Sequence, residues 1–212
     1  MAIKLKKQES SAKRELVPSG THAARIVRII EIGRTSYMYL GEEKHKHAVE
    51  ITFELPTELR VFNEEKGEQP MVVSLEYNLS RYEKAKLMIH LGALENKVFS
   101  EDEMLDLDVA SYIGRACMVT IVHKVSAKGN TYANVQGVSS VPKGLEVPPM
   151  INQPLVWDYD TNFALDVLNS FPVWLQDKIK ETPEFKEKQF NDENDDCMQD
   201  DYTEGMTDNL PF

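Results

Sequence analysis

Two stretches of the chain set tyrosines, lysines and turn residues side by side: TSYMYLGEEKHKH at 35–47 and HKVSAKGNTYANV at 123–135. A flat ring gives a base a face to stack on, worth about 1–3 kcal/mol, and an ammonium group neutralises a phosphate; together they hold a single nucleic-acid strand. In the first stretch Tyr37 and Tyr39 share one strand face, flanked by Arg34 and Lys46. In the second, Ala133, Val135 and Gly137 form a small apolar face. That alternation turns Tyr132 and Asn134 outward, beside Lys124 and Lys128 of the same hairpin. Arg25, Arg28, Arg81 and Arg115 are candidate phosphate contacts, which position a strand without reading its bases.

Catalytic arrangements are weaker. No Walker loop, G-x-S-x-G or C-x-x-C motif occurs. His45 and His47 offer two ligands on one strand face without a second pair at metal-site spacing. The acids Glu101, Asp102, Glu103, Asp106 and Asp108 suggest a magnesium nuclease, but acids at the start of a short helix also satisfy its dipole. Cys117 lies in an apolar run with no base nearby and reads as an inert core thiol. The expectation is a binding protein, not an enzyme, with no cofactor.

The chain ends in DDYTEGMTDNLPF. Apolar residues at an exposed terminus gain nothing in water unless a surface buries them, so Asp208, Leu210, Pro211 and Phe212 read as a docking tip for a partner protein. Pro211 fixes its own φ and biases Leu210 toward an extended backbone. Residues 191–212 hold eight acids and no Lys or Arg, which leaves −3 of the net charge of −11 on the rest of the chain. Between Asp108 and Glu146 there is no acid at all. Segregation of this kind predicts an acidic tail that competes with nucleic acid for a positive groove.

The elements that must position these residues follow from periodicity. THAARIVRIIEIGR, HAVEITFEL and MVVSLEYNL read as three strands, with Val49, Ile51, Phe53 and Leu55 on one face. Ser80 and Glu83 have the spacing of a capping box, and Ala85, Met88, Leu91 and Leu94 recur at helical intervals after it. A second short helix is expected over LDVASYIG, stopped by Gly114. RACMVTIVHKV and TYANVQGVSSV form two more strands joined by SAKGN. Three strands, a helix and two strands is the order of the OB-fold, a five-stranded Greek-key barrel. Pro172 opens a further helix with Phe171, Leu175 and Ile179 on one face. The expected organisation is a basic flexible arm at 1–19, the OB barrel at 20–150, a C-terminal helical extension packed on it at 151–190, and a disordered acidic tail at 191–212.

The 212 residues, 42% of them hydrophobic, suffice for one solid core. Two cysteines make no disulfide framework, no apolar run reaches membrane-span length, and the opening MAIKLKKQES has no signal-peptide h-region. The expectation is cytoplasmic, without a membrane partner.

The ending TDNLPF behind its aspartates resembles the acidic tip of bacterial single-stranded DNA-binding proteins, which recruits replication and repair enzymes through the terminal Phe and its carboxylate. The body lacks that family's Gly- and Gln-rich linker. It is more similar to phage-encoded single-stranded DNA-binding proteins through ITFEL, VSLEYNLS, YIGRACMVTIVH, KGNTYANV and FPVWLQDKI. The resemblance implies an OB-fold that coats single strands without strong sequence preference during phage replication or recombination in an infected bacterium, with no catalysis. A homo-oligomer is compatible with it. The alternatives are a strand-annealing recombination mediator and a decoy that captures host replication enzymes; the decoy would not need the basic, aromatic hairpins.

Overall fold

The computed structural model describes residues 15–127 and 129–190. Lys128 and the acidic tail with Asp208, Leu210, Pro211 and Phe212 lie outside the described residues, as do residues 1–14 of the segment read as an arm. Of that segment's last residues, Val17 is buried and Glu15 pairs with Arg60 at 3.0 Å.

Strands β1 (Gly20–Tyr39), β2 (Glu42–Asn63) and β3 (Gly67–Asn78) form a meander, and β4 (Ala116–Val125) and β5 (Thr131–Ser139) form a hairpin. All five are joined in the order β3-β2-β1-β4-β5, with antiparallel neighbours. Helices α1 (Lys86–Glu95) and α2 (Glu101–Leu105) and a 3-10 turn (Val109–Tyr112) separate β3 from β4. After β5 come β6 (Leu155–Trp157), α3 (Leu165–Asn169), α4 (Val173–Lys180) and α5 over 183–190. The architecture is mainly β, a curled antiparallel half-barrel of five strands with a few helices. Among the described residues no helix is long and apolar enough to cross a membrane.

β1 is the strand on which everything else registers. Its start pairs with β4 through Gly20–Arg25, and from Arg25 onward it pairs with β2. Where β4 has left, β6 lies parallel to Arg28–Ile30. This is a sixth strand that the alternation did not predict, because three residues carry no period. Irregularities between Ile26 and Arg28 and between Glu31 and Gly33 let β1 bend, since each extra residue raises the local twist and resets which side chains face in. Ala24, Ile26 and Ile29 consequently enter the barrel core with Val49, Ile51, Phe53 and Leu55 of β2, Met71 and Val73 of β3, and Cys117, Val119 and Ile121 of β4. Ile30 and Ile32 point the other way, into a second core built with Trp157, Tyr159, Leu168, Phe171, Leu175, Ile179 and Phe185. Burial of each such side chain is worth about 1.5–3 kcal/mol, which makes residues 155–185 a packed layer on the outside of β1 and β2. The layers come close at Gly33. Its φ of +97° lies in the left-handed region, and a Cβ there would stand 3.0 Å from Glu184 Oε2.

Local signals were partly misplaced. α1 begins at Lys86 behind Ala85, which makes no side-chain cap, whereas the expected capping box at Ser80 and Glu83 does not form. The Ser80 hydroxyl accepts from the Tyr82 amide instead, closing a short turn. The box sits on α2, where Ser100 and Glu103 satisfy each other's backbone amides. The second expected helix is the 3-10 turn, followed by Gly114 at φ +78°.

Candidate nucleic-acid interface

The β1–β2 hairpin turns on Leu40 and Gly41, both with positive φ, in a two-residue connection between paired Tyr39 and Glu42. Leu40 is a bulky residue in a region that suits glycine, and its side chain stands in solvent. Just below the turn, Tyr37 and Tyr39 are 44% and 52% exposed. The Lys44 Nζ lies 4.9 Å from the Tyr39 ring centre and the Lys46 Nζ 5.9 Å from that of Tyr37. The tyrosines and lysines of this tip therefore do share one face, with the rings positioned against cations.

The tertiary structure divides the predicted cations into two classes. Several are taken up by carboxylates and carbonyls distant in sequence. Lys46 bonds Glu76 at 2.5 Å, and Lys178 of α4 binds the other oxygen of the same carboxylate. Burial works against the charge on Glu76, but the hydrogen bonds from Lys178 and Lys46 outweigh it and hold its pKa below the usual range. Arg28 reaches Glu50 at 3.4 Å, where burial raises the carboxyl pKa and the guanidinium opposes it. Arg34 lies 3.8 Å from Glu184, whose other oxygen accepts the Arg34 amide. Arg25 donates to the carbonyls of Gly114, Val147 and Pro148, and Arg115 pairs with Glu95 at 3.1 Å. These arginines and Lys46 tie the fold together. Glu50 and Glu76, on the outer face of β2 and β3, take Arg28, Lys46 and Lys178.

The second class makes no ion pair among the described residues. Lys124 and Tyr132 are cross-strand partners at the outer end of β4 and β5, and Tyr132 is 44% exposed. Asn134 is half-buried two residues further on, its amide donating to the neighbouring Val135 carbonyl at 3.2 Å. Val135 does point into the barrel. An irregularity between Thr120 and Ile121 then places Val138 inside, so the inward face continues through Val138 and not Gly137. Lys86 of α1 reaches this hairpin, with its Nζ 3.1 Å from the Val135 carbonyl. Burial lowers the Lys86 pKa, and the charge of Lys124 lowers it further. Two neighbouring ammonium groups with no ion pair to either among the described residues is an arrangement that an anion would relieve.

The turn between β3 and α1 links the two hairpins. At one end the Leu79 amide bonds the His47 carbonyl at the base of the first hairpin, and at the other Lys86 bonds β5. Between them lie Arg81, Tyr82 and Lys84, all exposed, with no ion pair to Arg81, Lys84 or Lys124 among the described residues. Glu83, the acid in their midst, lines the cleft between α1 and α2. Tyr82, Lys84 and Lys86 were not singled out from the sequence. Their signal was present in RYEKAK, the same mixture of rings and cations as in the hairpins, but the Ser80–Glu83 spacing drew it into a helix cap.

His47 also belongs to the fold: its ring bonds Glu31 at 2.6 Å, and that bond, working against burial, raises its pKa. Cys117 is fully buried, and burial pushes its thiol up to about 12. Among the described residues no group of three or more His, Cys, Asp or Glu side chains is placed to hold a metal ion. No family model matches the chain, and no curated protein matches it.

Proposed function

We propose that the chain binds single-stranded DNA through an OB-fold, as the phage-encoded proteins that its sequence resembles do, coating strands exposed in replication or recombination. One observation carries the reading: Arg81, Lys84, Lys86 and Lys124 form a cationic track with no carboxylate partner among the described residues, interspersed with the exposed rings of Tyr82 and Tyr132. Counterion release along such a track and stacking on its rings are the two terms that single-strand binders use. The strand order β3-β2-β1-β4-β5, with α1 inserted after β3, supports assignment to the OB-fold, whose ligands are gripped by the first and last hairpins. Both hairpins here carry exposed tyrosines beside lysines. Through its Leu-Pro-Phe ending the acidic tail recruits replication or repair enzymes, and its eight acids compete with DNA for the track.

Fluorescence anisotropy with single-stranded and duplex oligonucleotides over a salt series is the test. The expected result is preference for the single strand and affinity that falls steeply as salt rises. Absence of single-strand binding at low salt overturns the reading.

A further inference from the structure

Building on the reading as a single-strand binder, we infer that the cavity where the C-terminal segment crosses β2 and β3 is a pocket for one unpaired nucleobase. The cavity measures about 380 Å3, inside the range of roughly 300–1,000 Å3 found for small-ligand sites. One wall is apolar: Phe62 of β2 is 58% exposed and Val72 of β3 is 47% exposed, both lining the cavity. A single exposed ring means little, but this one stands beside three primary amides, from Gln69, Asn152 and Gln153. Gln69 and Gln153 make no side-chain hydrogen bond among the described residues, and Asn152 uses only its Nδ2, leaving its carbonyl oxygen to accept. A carboxamide sets a donor and an acceptor side by side, the pattern that base edges present in complement.

The backbone carrying two of these amides is held in place. Glu54, fully buried, accepts from the Ile151 amide at 2.7 Å, the Asn152 amide at 2.9 Å and Asn152 Nδ2 at 2.6 Å. A ligand meeting residues 151–153 therefore finds them already ordered, and ordering them costs no binding energy. No acid lines the cavity, and its one cation, Arg28, is turned toward Glu50. The chemistry suits an uncharged planar heterocycle and not a phosphate. The pocket opens on the outer face of β2 that also carries Lys44 and Lys46 nearer the first hairpin. It gives the protein a contact to one base beyond the stacking that the rings of the cationic track supply.

The test compares the full chain with Phe62→Ala and with the pair Gln69→Ala and Gln153→Ala. The probes are fluorescent oligo-dT, oligo-dA and oligo-dC of equal length and an abasic strand of the same length. Phe62→Ala should weaken binding to the base-bearing strands about five- to a hundred-fold and leave binding to the abasic strand unchanged. The amide pair should narrow the difference between the three homopolymers. Binding of every strand by Phe62→Ala and by the amide pair as tightly as by the parent overturns the pocket while leaving the single-strand reading intact. Failure of the parent to bind any single strand overturns both. The ring is exposed, so Phe62→Ala should melt with the parent; if it does not, the amide pair, one on β3 and one beside the segment that Glu54 holds, decides.

Discussion

Replacing Arg81, Lys84 and Lys124 together by glutamine tests whether the cations left unpaired among the described residues, and not those that hold the fold, are the ones that meet DNA. All three are exposed and take no ion pair among the described residues, so the triple variant should melt with the parent protein. For single strands each neutralised phosphate adds about 0.7 to the slope of log affinity against log salt, so losing three contacts should flatten that slope by roughly 2. At about 0.1 M salt the same relation makes each contact worth around fivefold, or about a hundredfold for all three. The comparison variant replaces Arg28, Arg34 and Lys46, which bind Glu50, Glu184 and Glu76. Its slope should change by less than about 0.7, the value of one contact, while its melting temperature falls because buried Glu50 loses its guanidinium. Anisotropy titrations across a salt series give the slopes, and circular dichroism gives the melting. A paired-cation variant that flattens the slope as much as the unpaired one would refute the division.

Tyr132→Ala should weaken single-strand binding by about 1–3 kcal/mol without lowering the melting temperature, because a half-exposed ring on the outer face supports no core; early melting with normal binding would make it a packing residue. His90 is buried beside the Tyr77 hydroxyl, and burial, helped by Lys86, depresses its pKa to about 4 from 6.5. The unfolded chain then binds the proton more readily, so stability present above about pH 6.5 should be lost as pH falls toward 4, by up to roughly 3 kcal/mol. Denaturant midpoints for the parent and His90→Asn at neutral and acid pH check this, and an identical acid loss in both would exclude His90 as its source. Deleting Phe212 leaves every acid in place, so DNA binding should hardly change while partner recruitment from host lysate falls by 2 kcal/mol or more, roughly thirtyfold. Equal recruitment by both forms would return the ending to an ordinary terminus.

What the sequence determined by itself is what depends on short-range period and composition. Val49, Ile51, Phe53 and Leu55 could be placed on one buried face because a strand repeats every two residues, and Phe171, Leu175 and Ile179 because a helix repeats every three to four. Exposure of Tyr37, Tyr39 and Tyr132 followed from the same alternation at hairpin ends, where no second layer covers the sheet. The inert setting of Cys117 was legible from its apolar neighbours. Only the tertiary structure decided which cations are free. Lys46 and Glu76 are 30 residues apart, Lys178 and Glu76 102, and Arg34 and Glu184 150. No local pattern records such pairs, because the two charges meet only after the strands register and residues 155–185 fold back over β1. Bulges are equally silent in the sequence: one extra residue in β1 sends Ile30 and Ile32 to the outer core and so creates the surface on which that extension packs. The capping-box spacing at Ser80 was satisfied locally by another bond, since the turn it belongs to had to span from His47 to β5 before a helix could begin.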